Sequence, residues 1–246
     1  MTSYDRKKKV LIAIPTYNEA GNLPEMAKRL AGLGLGADIL FIDDGSPDGT
    51  GEIADRIAAS DRAVMVLHRP HRMGIGSAHM AGISFACKNG YDLLVTMDCD
   101  FAHAPEAIPK LLKAAEEADL VVGSRFVSKD GFGSWGIWRK LLSRLGHMAT
   151  RHILGMPFDA TGAFRVYRLD RIPKELFALV RSPRYAFFFE SLFILFSNGV
   201  TVREVPIVAG LRRYGTSKMG VADMFSSLFT IVRLRAKTRV FKRKTC

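Results

Sequence analysis

Asp98-Cys99-Asp100 follows directly on the apolar run Leu93-Leu94-Val95-Thr96-Met97. A run of this length and composition reads as a buried parallel strand. Its C-terminal end is where open α/β sheets bind their ligands. Two carboxylates cannot both be desolvated there without a cation between them. The economical partner is a divalent, oxygen-preferring metal that in turn carries phosphates. Taken alone, the triplet reads as a solvated turn at a strand end, because short motifs match by chance.

Two further strand ends carry polar clusters. The apolar segment 10–14 runs into Pro15-Thr16-Tyr17-Asn18-Glu19, and 39–42 runs into Asp43-Asp44-Gly45-Ser46-Pro47-Asp48-Gly49-Thr50. Parallel strands share direction, so all three clusters should emerge at one sheet edge. That edge would hold a Tyr17 ring for stacking a base, carboxylates for ribose hydroxyls or base nitrogens, and a metal site for phosphates. Each cluster also has a plain reading as a turn or helix cap. Three at equivalent strand ends favour a nucleotide-diphosphate pocket.

The elements that must position these residues follow from periodicity. Strands at 10–14, 39–42, 63–67, 93–97 and 120–122 alternate with helical patterns at 20–33, 47–59, 77–88 and 105–117. This alternation predicts a parallel sheet with right-handed crossovers and helices on both faces. Beyond Gly123 the pattern loosens. Residues 128–136 are rich in Gly and Ser and read as a mobile loop, and 137–154 as an amphipathic helix with bases on one side. Strands at 164–167 and 202–208 flank an aromatic-rich helix near 187–196, and 220–244 is helical in pattern. The expected organisation is one α/β domain over 1–219 with an amphipathic, polybasic helix over 220–246.

Composition bounds the alternatives. The 246 residues are 48% hydrophobic, enough for a sizeable core, and show no repeat. Three cysteines without a CxxC pair fit a reducing compartment. No signal peptide is evident, and no apolar stretch reaches the about 20 residues of a membrane span, so an integral membrane protein is not expected. The net charge of +12 is concentrated at the two ends, with four bases and one acid in residues 1–9 and seven bases without an acid in 224–246. The nearly neutral body excludes a nucleic-acid-binding module. Gly74-Ile75-Gly76-Ser77-Ala78 does not follow the first strand and lacks a third Gly in place, which excludes a dinucleotide fingerprint, and no P-loop occurs. In the tail, Val221, Met224, Phe225, Leu228, Phe229 and Val232 recur at helical spacing before the bases. Residues 224–229 are expected to pack on the core, and the basic end to meet an anionic membrane surface.

Five motifs in order carry a resemblance. Ile14-Pro15-Thr16-Tyr17-Asn18-Glu19, the 43–50 cluster, Asp98-Cys99-Asp100, Gly123-Ser124-Arg125 and Arg212-Arg213-Tyr214-Gly215-Thr216-Ser217-Lys218 resemble the inverting family-2 glycosyltransferases, specifically the dolichol-phosphate (polyprenol-phosphate) mannose synthases. The resemblance covers about residues 10–219 and implies a GT-A fold, GDP-mannose as donor, Mg²⁺ or Mn²⁺, and a polyprenyl phosphate acceptor. By position it implies Pro15, Tyr17, Glu19, Ile42 and Asp44 around the guanosine. Asp98, Cys99 and Asp100 fall at the diphosphate, with Asp98 and Asp100 as metal ligands. Arg125, Arg212 and Lys218 surround diphosphate and sugar, and Arg139 and Ser143 stand where the family contacts the acceptor phosphate. Asp100, Arg125, Arg139 and Ser143 are therefore the catalytic candidates. The alternative within the class is transfer of glucose or another sugar from a UDP-sugar to undecaprenyl phosphate.

The implied chemistry needs no general base, because a phosphate monoester is already ionised near neutral pH. Catalysis can rest on positioning and charge, with in-line attack at C1 inverting the anomeric centre. The implied setting is the cytoplasmic membrane face, with peripheral attachment and room for a separate anchoring subunit. Three stretches depart from the family pattern. Ala102 stands where relatives place a polar side chain, leaving one side-chain ligand fewer. His103 is expected to point elsewhere. Ala160-Thr161-Gly162-Ala163-Phe164 carries an extra residue, and Phe187-Phe188-Phe189-Glu190 is more apolar than usual.

Overall fold

The computed structural model describes residues 8–210 and 220–236. Seven strands form one sheet: β1 (Val10–Thr16), β2 (Asp38–Asp43), β3 (Val64–His68), β4 (Leu93–Thr96), β5 (Leu120–Ser124), β6 (Arg165–Arg168) and β7 (Val202–Pro206). Their spatial order is β3-β2-β1-β4-β6-β5-β7. β6 runs antiparallel to both neighbours, while the other pairings are parallel. Periodicity does not encode direction, so this reversal was not expected from the strand pattern. Its effect is to leave the C-terminal ends of β1, β2, β4 and β5 on one edge.

Helices α1 (Leu23–Gly32), α2 (Thr50–Ser60), α3 (Ile75–Lys88), α4 (Ile108–Ala114), α5 (Ile137–Leu154), α6 (Phe187–Ser197) and α7 (Val221–Ala236) surround the sheet. Alternate strand residues divide between its two faces, as a pleated backbone requires. Ile12, Phe41, Val95 and Val121 pack with Leu23 and Met26 of α1 and Leu111 of α4. Leu11, Leu40, Leu94 and Leu120 pack with Ile83 of α3, Leu192 of α6 and Leu234 of α7. The helix expected over 105–117 is a short 3-10 turn, Pro105–Ala107, followed by α4.

Arg165 and His79 are among the charged or titratable groups buried here. Arg165 on β6 is fully buried and donates to the carbonyls of Gly162, Ala160 and Phe188 at 3.0, 3.0 and 2.7 Å. It also reaches Ser191 Oγ at 3.0 Å and Tyr167 Oη at 3.4 Å. A buried guanidinium is tolerated when its donors are satisfied in this way. His79 of α3 stacks on Phe187 with ring centroids 5.5 Å apart. Burial pushes its pKa down to about 3, so it is neutral at physiological pH.

Residues 224–229 differ from expectation. Met224, Phe225, Leu228 and Phe229 are exposed, and α7 instead buries Asp223, Thr230, Ile231 and Leu234. The apolar stripe was correct as a pattern, but the helix turns its other side inward. The inward side carries two ion pairs beside its apolar contacts: Arg233 donates to the fully buried Glu190 at 2.8 Å, and Arg184 pairs with Asp223 at 3.3 Å. The bases from Lys237 onward lie outside the described residues.

Candidate active site

A cleft of about 370 Å³ opens at the shared strand edge. Pro15, Tyr17, Glu19, Asp44, Asp98, Cys99, Asp100, Arg125 and Arg139 all line it. The structure thus brings together nine of the residues named from sequence. Ile42 is fully buried in the core below, and its carbonyl accepts the Thr16 hydroxyl at 3.3 Å. Ser143 does not line the cleft, and its Oγ is buried without a hydrogen-bond partner among the described residues. Arg212 and Lys218 lie outside the described residues.

The loop after β2 divides its carboxylates by role. Asp43 accepts the Ser46 amide and hydroxyl at 3.1 and 2.5 Å. Asp48 accepts the Thr50 and Ala20 amides, both at 3.1 Å. Ser46 Oγ and Thr50 Oγ1 in turn accept the Asn18 and Glu19 amides at 3.0 and 2.9 Å. These groups stitch the β2 loop to the β1 loop, as the plain turn-and-cap reading supposes. Asp44 is the carboxylate turned to the cleft. Its oxygens accept Arg69 Nη1 at 2.5 Å and the Met73 amide at 3.2 Å. Burial nevertheless pushes the Asp44 pKa up, against the pull of Arg69. Tyr17 carries Arg72 over its ring, the guanidinium carbon 5.0 Å from the centroid.

At the end of β4, Asp100 is buried and Asp98 is partly open to the cleft. Asp100 Oδ1 accepts the Ala102 amide at 2.9 Å. Phe101 between them adopts a left-handed φ of +63°, a costly conformation for a bulky residue and one that clusters at functional sites. His103 was expected to point away, but it lines the cleft and its Nδ1 accepts the Asp98 amide at 3.2 Å. The Ala102 carbonyl accepts the Gly210 amide at 3.0 Å. A Cβ at Gly210 would stand 2.2 Å from the Phe101 oxygen, so this close approach requires glycine.

Among the described residues no group of three or more His, Cys, Asp or Glu side chains could enclose a metal. Two carboxylates facing a cleft are nonetheless a fitting donor set for Mg²⁺ or Mn²⁺, which take their remaining ligands from waters and substrate phosphates.

Arg125, at the end of β5, is held by a buried carboxylate. Its Nε and Nη2 donate to Asp159 at 2.8 and 2.7 Å, and Nη2 also reaches Thr161 Oγ1 at 2.7 Å. Burial alone would raise the Asp159 pKa, but the Arg125 guanidinium and the amides of Arg125 and Thr161 hold it below the usual range. Sequence reasoning did not assign Asp159, Arg72, Trp135, Arg184 or Asp223 to the site, although the last four line the cleft. Only the Gly74-x-Gly76 pair left a signal. Gly74 has a φ of +100°, and a Cβ at Gly76 would meet Phe187 Cβ at 2.5 Å, so these glycines pack the start of α3 against residues 182–187.

The profile of one protein family, described as Glycosyl transferase family 2, matches residues 11–172. The chain belongs to this family. It is a glycosyltransferase with the GT-A architecture. An undecaprenyl-phosphate mannosyltransferase of Micrococcus luteus is 39% identical over 92% of this chain and 93% of its own length. A polyprenol monophosphomannose synthase of Mycolicibacterium smegmatis is 38% identical over 95% of this chain and 89% of its own. Among solved structures, a mannosyltransferase from Pyrobaculum calidifontis in complex with GDP-Man and Mn²⁺ superimposes with a TM-score of 0.55 at 15% identity, covering 98% of this chain and 67% of that one. The family 2 match ends before α6 and α7, so Arg184 and Asp223 contribute to the cleft from outside it.

Proposed function

We propose that this glycosyltransferase moves mannose from GDP-mannose to a polyprenyl phosphate, with inversion at C1, at the cytoplasmic membrane face. The observation that carries the reading is one cleft lined by Tyr17, Asp44, Asp98 and Asp100 together with Arg125 and Arg139. The names of the two relatives support mannose and a polyprenyl phosphate. Tyr17 stacks the base, and Glu19 and Asp44 offer carboxylates to its nitrogens or the ribose. Asp98 and Asp100 would hold Mg²⁺ or Mn²⁺, which supplies charge neutralisation of the diphosphate when bound. Arg139 and Arg125 draw the acceptor phosphate toward the sugar. The acceptor is already an anion, so these residues orient and neutralise rather than abstract a proton. Arg212 and Lys218 are proposed for the departing nucleotide.

Thermal shift and transfer assays test the donor. GDP with Mn²⁺ is expected to raise the melting temperature by several degrees, as ligand linkage requires at concentrations well above Kd. UDP is expected to leave it unchanged. Stabilisation by UDP in place of GDP, with transfer from a UDP-sugar, would overturn the mannose reading.

Two packed helices support a seating on lipid. α5 exposes Ile137, Trp138, Leu141, Leu142 and Leu145, with Trp138 83% exposed. α7 exposes Phe225 and Phe229, each at 71%. The two helices are in contact, so their apolar side chains can serve one surface. α5 holds Arg139, Lys140, Arg144 and Arg151 and no acid, which suits an anionic leaflet. No helix among the described residues is long and apolar enough to cross a membrane. Replacing Trp138 and Phe225 together by serine is expected to lower sedimentation with phosphatidylglycerol vesicles at least tenfold. Equal binding by the variant would remove these helices from the membrane contact.

A further inference from the structure

We infer that Trp135 is a positioning residue that holds Arg139, and more weakly Arg125, in place for the acceptor phosphate. The inference rests on the proposed acceptor role of Arg139. The Arg139 guanidinium carbon lies 3.7 Å from the Trp135 ring centroid and the Arg125 carbon 5.3 Å from it. Two cations that must converge on one anion repel each other before it arrives. An indole face attracts both, adds no negative charge, and itself takes up none of their N–H donors.

The platform is itself fixed. Trp135 is only 8% exposed, and its Nε1–H donates to the Gly210 carbonyl at 3.3 Å. Its ring meets Phe132 edge to face at 5.9 Å, and Phe132 meets Phe126 in the same manner at 5.2 Å. The Gly131 carbonyl accepts the Ala209 amide at 2.8 Å, so the loop before α5 is anchored on the residues that follow β7. Arg139 is therefore presented by a preorganised surface, which reduces the ordering required when phosphate binds.

The test uses the full chain with GDP-mannose, Mn²⁺ and geranylgeranyl phosphate in mixed micelles. Trp135→Leu is expected to raise the acceptor KM about tenfold, the range a desolvated cation–π contact supports. The donor KM should move less than about threefold, because Arg125 is the more distant guanidinium and keeps Asp159. Trp135→Phe, which keeps a π face, should recover most of the loss. The double variant W135L/R139A should be no worse than R139A, as expected when one residue acts through the other. If R139A raises the acceptor KM and W135L does not, or W135L raises both KM values equally, the role of Trp135 is overturned alone. If R139A leaves the acceptor KM unchanged, the acceptor reading of Arg139 fails and this inference with it. Should W135L fail to fold by thermal melt, Trp135→Met, which also lacks a π face, takes its place with the same outcomes.

Discussion

Asp100→Asn is expected to lower turnover by about a thousandfold, at the upper end of what removing one preorganised electrostatic group costs. Its melting temperature should stay within about 2 °C of the parent, as for substitutions that leave packing and hydrogen bonding intact. The asparagine keeps an oxygen for the Ala102 amide, which Asp100 Oδ1 now accepts at 2.9 Å. The turn through the left-handed Phe101 is thereby preserved while the charge is lost. Asp100→Ala removes both and serves as the contrast: equal loss of turnover with a lower melting temperature. Single-turnover transfer with saturating donor and a denaturation curve on the same preparation provide the two readouts. Undiminished turnover in Asp100→Asn would sink the assignment of the β4 carboxylates to the diphosphate.

Arg165→Met is expected to destabilise the fold by about 3 kcal/mol, a loss of roughly 10 °C in a chain of this size. Methionine fills the space but leaves the carbonyls of Ala160, Gly162 and Phe188 and the Ser191 hydroxyl without their shared donor. Each such group carries a desolvation cost of about 1–3 kcal/mol, reduced here because the buried charge disappears as well. Three of these acceptors lie in the 160–162 loop and at the start of α6, and Thr161, Gly162 and Phe188 line the cleft. Urea denaturation with an unchanged m-value measures the effect. A loss below about 0.5 kcal/mol would place the guanidinium among groups that contribute nothing net to folding.

Sequence pattern and physical structure agree where local chemistry decides the outcome. The three strand-end clusters do meet at one edge, because parallel strands leave them no other arrangement. The pattern could not separate Asp44 from Asp43 and Asp48, since all three are equally suited to a turn; only the loop's hydrogen bonds assign two of them to stitching. It could not orient α7 either. A stripe of apolar residues states that a helix has two sides, and the inward one holds Ile231, Leu234 and the Arg233–Glu190 pair, whose partners are distant in sequence. The reversed direction of β6 and the buried Arg165 share one cause of invisibility. Both depend on partners far away in sequence, such as Phe188 and Ser191. Trp135 carried no motif, and its place follows from the packing of Gly131 and Gly210 against neighbouring backbone.

Trp138 and Arg139 are consecutive residues at the start of α5, one among the most exposed apolar side chains and the other at the cleft. On the proposed seating, the depth to which Trp138 sinks also sets the height at which Arg139 meets a headgroup. A rise of about 1.5 Å per helical residue keeps that height within a few ångströms of the interface. The acceptor then need not leave the bilayer: its phosphate is met at headgroup level while its hydrocarbon stays among the lipids. An enzyme arranged in this way measures the lipid from the phosphate end only, and isoprene units beyond the first few lie below anything it touches. Chain length would then be set by which polyprenyl phosphate the membrane offers, and not by the protein.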